Sequence, residues 1–172
     1  MKHILLVALI AISVNGFGQT ELPLKEGKVF YESIDSTPLN KAEAFMKAKA
    51  WFVNTFNSGK DVLQIDDKDG GIIMGKGYTQ KSVGNFMTGP LEQDIYYVIN
   101  ITVKDNKYRI QLYNIYVSIP ASSAHGKIDM PAENIIKHPR SNSKFIQRID
   151  ESCKDIISRF KAAMLKAIDN NF

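Results

Sequence analysis

Residues 94–112 read DIYYVINITVKDNKYRIQL, and their pattern decides the fold. Ile95, Tyr97, Ile99, Ile101 and Val103 alternate with Asp94, Tyr96, Val98, Asn100, Thr102 and Lys104, a period of two that buries one face of a strand. Asp105-Asn106-Lys107 makes a tight polar turn, after which Tyr108, Ile110 and Leu112 resume the alternation against Arg109 and Gln111. An apolar face backed by a mixed one belongs to an antiparallel sheet covered on one side only. At Tyr113–Asn114 the phase slips. Apolar residues now fall at Tyr113, Ile115 and Val117, the mark of a one-residue bulge.

Upstream, Val62-Leu63-Gln64-Ile65 and Ile72-Ile73-Met74 flank an Asp/Gly-rich loop and predict a second hairpin. Residues 79–93, with Lys81, Asn85, Gly89 and Pro90, read as a polar connection into which some strand continues. Before the first hairpin, Ala42, Phe45, Ala48, Phe52 and Phe56 recur at steps of three and four, the stripe of an amphipathic helix over about 41–57. Asn40 and Glu43 have the spacing of a capping box at its start, and Gly59 suits a left-handed position past its end. Lys28 to Asp35 is a β-rich run, and 19–27 an extended lead-in. The last element starts near Ser143. There Ile149, Cys153, Ile156, Phe160, Ala163 and Ala167 form a stripe that Ile146, Ile157, Met164 and Ile168 widen, opposite a face of mixed charge. Mixed charge favours a solvated face over a membrane-surface helix. Between lies an irregular segment, 118–141, containing Pro120, Pro131 and Pro139. The order strand, helix, four strands, helix predicts an α+β two-layer sandwich, an antiparallel sheet of about five strands with two helices on one face.

The first residues read as an address. Met1-Lys2-His3 is a short basic start, Ile4 through Val14 is almost wholly apolar, and small residues precede Gln19 at the −3 and −1 positions. These are the parts of a secretory signal, and the apolar run is too short to span a bilayer. The expectation is a cleaved signal peptide over 1–18, a single domain over 19–172, and a periplasmic or extracellular location. No transmembrane segment is expected in the mature chain, because no later run is apolar for the ~20 residues a spanning helix needs. The 172 residues are 44% hydrophobic and 23% charged, which excludes disordered and fibrous classes and supplies a core without staples. Cleavage would remove Lys2 and take the formal charge from +4 to +3, too small and too dispersed to draw the chain to DNA or anionic lipid. Cys153 is the only cysteine, so no intramolecular disulfide can form, and its place in the helix stripe predicts a buried, inert thiol.

The chain resembles a family of exported bacterial proteins described as a domain of unknown function with a TATA-binding-protein-like fold. The resemblance rests on Leu22-Pro23-Leu24, Val29-Phe30-Tyr31-Glu32, Ala50-Trp51-Phe52, Asp61 through Asp67, Gly75-Lys76-Gly77 and Tyr108-Arg109. It covers about residues 22–117 and concerns packing and turn positions, so it implies the fold and brings no activity, cofactor or catalytic residues. The fold name invites a nucleic-acid reading, but a sheet that opens the minor groove uses apolar wedges backed by Arg and Lys. The solvent-side set here (Tyr96, Val98, Asn100, Thr102, Arg109, Gln111) holds one basic residue. No nucleic-acid partner is therefore expected.

Four places in the sequence hold residue types that could carry chemistry. Asp66, Asp67 and Asp69 beside Gly70 fail the calcium-loop pattern: counted from Asp66, position 3 is Lys68, position 5 is Gly70 and position 12 is Gly77. Gly75-Lys76-Gly77 opens no helix, so it is no phosphate loop, and its glycines mark a bulge or a close approach. His125 and His138 have no zinc spacing, and Ser122 and Ser123 are merely adjacent to His125. Asn100-Ile101-Thr102 lies mid-strand and reads as an outward polar position rather than a glycan acceptor. The reading carries no catalytic residues, no metal and no cofactor. It favours a non-enzymatic binding module of the envelope that uses Tyr96, Val98 and Tyr113 on the open sheet face, with an envelope protein or small ligand as partner. The alternative is a small-ligand carrier or hydrolase with a pocket under 118–141 that employs His125 or His138.

Overall fold

A computed structural model describes residues 21–56, 63–83, 91–121 and 126–165. Leu24–Lys25 (β1) and Lys28–Val29 (β2) form a small hairpin, followed by Tyr31–Ser36 (β3), helix Lys41–Thr55 (α1), Leu63–Asp67 (β4), Ile72–Val83 (β5), Leu91–Lys104 (β6) and Lys107–Ile119 (β7). Ile128–Pro131 (β8), the short helix Ala132–Ile135 (α2) and the long helix Ser143–Leu165 (α3) complete it. The main sheet is antiparallel with order β3-β7-β6-β5-β4, and β8 also pairs β7. The α+β class and the order strand, helix, four strands, helix stand as the sequence predicts. The sheet has six strands rather than about five, because residues within 118–141 supply β8.

The period-two pattern is obeyed across the sheet. Tyr31, Ile73, Ile95, Tyr97, Ile99, Ile101, Val103, Tyr108, Ile110 and Leu112 are all buried on the face that meets α1 and α3. The helices bring Phe45, Phe52 and Phe56 from α1, and Ile149, Cys153, Ile156 and Phe160 from α3. Phe160 packs edge-on against both Trp51 and Tyr108, so one ring joins the two helices to the sheet. Full burial of each such side chain contributes roughly 1.5–3 kcal/mol.

The predicted capping box is present. Asn40 Oδ1 accepts from the Glu43 amide at 3.0 Å and Glu43 Oε2 accepts from the Asn40 amide at 3.1 Å. One position of the α1 stripe is corrected: Ala42 is exposed and Ala44 is buried, because the first turn faces the β4–β5 and β6–β7 turns, where Lys41 meets Asp69 and Asp105. Within the lead-in 19–27, the described residues 21–27 are not simply extended. Glu26 and Gly27 both have positive φ, as a two-residue hairpin turn of the inverse type requires, and this turn folds β1 onto β2. The connection 79–93 is mostly sheet: β5 runs to Val83 and β6 begins at Leu91, paired continuously from Ile72↔Thr102 to Val83↔Leu91.

The predicted bulge falls one residue later than the apolar pattern suggests. Tyr96 pairs Tyr116 and Val98 pairs Tyr113, and Asn114 takes φ 51°, a left-handed conformation that asparagine tolerates. Tyr113 thus stays on the outward face with Arg109 and Gln111, while Ile115, Val117 and Ile119 turn inward. Gly77 is explained by a close approach, since a Cβ there would lie 2.7 Å from the Phe56 ring. The irregularity in the β4–β5 pairing lies in β4, between Leu63 and Ile65.

No helix among the described residues is long and apolar enough to cross a membrane. The signal-peptide residues 1–18, Gly59, Ser122, Ser123, His125, Ala167 and Ile168 lie outside the described residues.

Candidate binding surface on the open sheet face

Helices on one side leave the alternate residues of each strand facing away from the core. Register sets the neighbours. Tyr78 pairs Tyr96, and Tyr96 pairs Tyr116, so three phenol rings line up across β5, β6 and β7. They stack at 5.3 Å and 4.9 Å between centroids, the second pair within 7° of parallel. Each such contact contributes about 0.5–1.5 kcal/mol beyond the area it buries. Tyr78 ends the row and is 51% exposed. Burial and the neighbouring Asp94 push the Tyr96 phenol up, so its hydroxyl stays a donor at any physiological pH.

The sequence singles out Tyr96, Val98 and Tyr113. The structure brings Val98 and Tyr113 into one cross-strand pair directly beside the tyrosine row. Tyr113 is partly covered by its own chain: its ring stacks on Phe30 at 6.3 Å, its hydroxyl reaches Met74 Sδ at 3.2 Å, and Lys25 Nζ lies 4.8 Å over the Phe30 ring. The cover comes from the N-terminal hairpin, and beneath it opens a hollow of about 550 Å³ between Lys25, Lys28, Phe30, Tyr113 and the polar pair Asn100–Gln111. Tyr78 and Tyr116 are the members that sequence reading missed. Their signal was available in the register, once β5 is extended through residues 79–83.

Polar groups on this face are unevenly satisfied. Asn100 Nδ2 donates to Gln111, and Gln111 Nε2 donates to Glu32 at 2.6 Å, yet Asn100 Oδ1 and Asp94 Oδ1 are buried without partners among the described residues. Both belong to β6 and sit either side of Tyr96 and Val98 along that strand. A buried acceptor left unpaired costs about 1–3 kcal/mol.

The segment 118–141 does not cover the open face in its described parts. β8 pairs the end of β7, from Ile119↔Ile128 to Tyr116↔Pro131, along the same edge that β3 occupies further down. α2 then tucks Ala132 and Ile135 into the core, and Glu133 Oε1 accepts from the Val29 amide at 3.0 Å. An open groove of about 400 Å³ remains between β2, the bulge and β8, lined by described residues that include Lys28, Tyr116, Asp129 and Glu133 but not His138. His138 is exposed in the turn after α2, where its carbonyl accepts from Ser141 and Asn142. The hydrolase arrangement that would employ His138 is therefore not assembled.

Cys153 is fully buried, and desolvation with the nearby Asp150 carboxylate pushes its thiol far up, so it is no nucleophile. Asp150, missed as a buried position of the α3 stripe, accepts from the Tyr31 hydroxyl at 3.0 Å and pairs Lys154 at 2.7 Å. The acids of the β4–β5 turn serve local structure. Asp66 pairs Lys49, and Asp67 Oδ1 accepts from the Gly70 amide at 2.8 Å. Among the described residues no three His, Cys, Asp or Glu side chains converge as metal ligands would.

A one-sided antiparallel sheet backed by two helices, with aromatic residues on its open face, defines an α+β domain of TBP-like architecture. The chain belongs to the family "Domain of unknown function (DUF4468) with TBP-like fold", whose model matches residues 30–118. It is similar to a TBP-like protein from Parabacteroides distasonis ATCC 8503, at 20% identity and a TM-score of 0.67 over 85% of this chain and 98% of that one. It is also similar to a DUF4468 family protein from Bacteroides ovatus ATCC 8483, at 16% identity and a TM-score of 0.57 over 88% and 94% of the two chains. No curated protein matches it.

Proposed function

We propose that this protein is an exported envelope module that binds a partner protein through the open sheet face and performs no chemistry itself. The observation that carries this reading is the outward-facing row Tyr78–Tyr96–Tyr116 beside Val98 and Tyr113. Amphipathic aromatics on an open face are the residues that anchor interfaces. Because the rings stack on one another, they present edges and hydroxyls outward. That combination suits a surface offering hydrogen-bonding groups around apolar side chains. Export rests on the basic-apolar-small pattern of residues 1–18.

Replacing Tyr78 and Tyr96 together with Ala removes most of the row without touching a core residue. The expected result is a folded protein that loses a partner captured by the parent from the envelope fraction. An unchanged capture profile would end the proposal. Intact mass of the envelope protein tests export separately: a chain beginning near Gln19 agrees with it, and a full-length mass does not.

A further inference from the structure

The opposite end of the open face, at the β6–β7 turn, carries charges that the sheet does not need. Lys104 stands directly opposite Lys107, and Thr102 directly opposite Arg109. Like charges in opposed positions of a sheet are destabilising, and a neutral polar residue would serve a turn equally well. The four side chains border a cleft of about 210 Å³ that Ile34, 63% exposed, and Tyr108 complete.

None of the three cations is in an ion pair among the described residues. Arg109 donates from Nη2 to Thr102 Oγ1 at a long 3.4 Å, which leaves most of its guanidinium fork available. The carboxylates of the adjoining turns and strand are held elsewhere. Asp105 accepts from the Lys41 amide at 2.8 Å, Asp67 from the Gly70 amide, and Asp35 from Ser33 and Lys161. Among the described residues no carboxylate therefore reaches into the cleft to pair with its three cations.

We propose that this cleft binds a compact phosphate group. Arg109 offers the planar fork that matches two phosphate oxygens, Lys104 and Lys107 offer point charges on either flank, and the Thr102 hydroxyl, accepting from Arg109, keeps its own proton to donate. Exposed Ile34 gives apolar contact to the ester carbon of an organic phosphate. The tyrosine row lies ~20 Å away, six residues along β6, so this site stands or falls independently of it.

The test is a titration of the protein with inorganic phosphate at constant ionic strength, followed by amide chemical shifts. Saturable shifts confined to residues around Thr102, Lys104, Lys107, Arg109 and Ile34 are expected. Lys104→Gln, Lys107→Gln or Arg109→Gln should each weaken binding about tenfold, the loss of one charge-assisted hydrogen bond, with the circular dichroism unchanged. Equal shifts with chloride, or no loss in the three variants, would overturn the proposal. Binding to phosphatidylglycerol vesicles without any response to inorganic phosphate would also overturn it, since that pattern requires only a diffuse basic surface.

Discussion

Gly77→Ala tests how closely α1 packs on the sheet. The new methyl would lie 2.7 Å and 3.0 Å from two atoms of the Phe56 ring and 3.0 Å from the Tyr97 ring, well inside ordinary contact. Neither ring is free to retreat. Phe56 packs on Trp51, Phe52 and Tyr97, and the Tyr97 hydroxyl is hydrogen-bonded to Thr79 at 2.7 Å. Overpacking of this kind costs about 1–3 kcal/mol. Replacing a strand glycine by alanine returns roughly 0.5–1 kcal/mol of backbone entropy. The net expectation is a loss of roughly 0.5–2 kcal/mol, read as a lower urea midpoint with unchanged slope. Phe56→Leu removes the ring atoms that the methyl meets, so in that background Gly77→Ala should cost less, by about 1 kcal/mol of coupling. A neutral or stabilising Gly77→Ala, or an identical cost in both backgrounds, would refute the close-approach explanation.

Asn40→Ala removes the side-chain half of the capping box, the acceptor for the Glu43 amide, and should lower stability by about 0.5–2 kcal/mol, whereas Asn40→Asp should restore most of it; urea melts measure both. Alkaline pH should destabilise the fold. Tyr31, Tyr97 and Cys153 are pushed far up by burial, and Tyr108 is pushed up to about 12 by burial and Asp35. Each folded-state pKa is raised, so these groups' contribution is fully present below the unfolded values and is lost as pH rises past them. Above about pH 9 for the thiol and 10 for the phenols, each group removes about 1.4 kcal/mol per pH unit. Unfolding free energies at pH 7, 9 and 10.5 check this, and a flat profile would contradict it.

Local rules were enough for most of the elements. The alternation over 94–112, the capping pair Asn40 and Glu43, and the α3 stripe each encode their own geometry, because period and capping act between residues a few positions apart. The bulge was also visible as a phase change, although the apolar side chain of Tyr113 disguised which residue was extra. Asn114 is the more informative letter there, since its side chain makes positive φ tolerable. The candidate surface was read less completely. Tyr96, Val98 and Tyr113 were visible as outward positions of single strands, but Tyr78 and Tyr116 become their neighbours only through pairing. The polar residues 79–83 concealed the length of β5.

The amino-acid sequence alone determined the α+β class, the one-sided sheet and the inert cysteine, since each follows from periodicity or from a count. Tertiary structure decided what lies beside what. It put β8 on the edge instead of over the face, drew Phe30 across Tyr113, stacked three tyrosines from three strands, and gathered Lys104, Lys107 and Arg109 around one cleft. Those outcomes depend on register and on which edge a returning segment takes. Both are settled by the shared core that distant segments build together, so neither is written in any one of them.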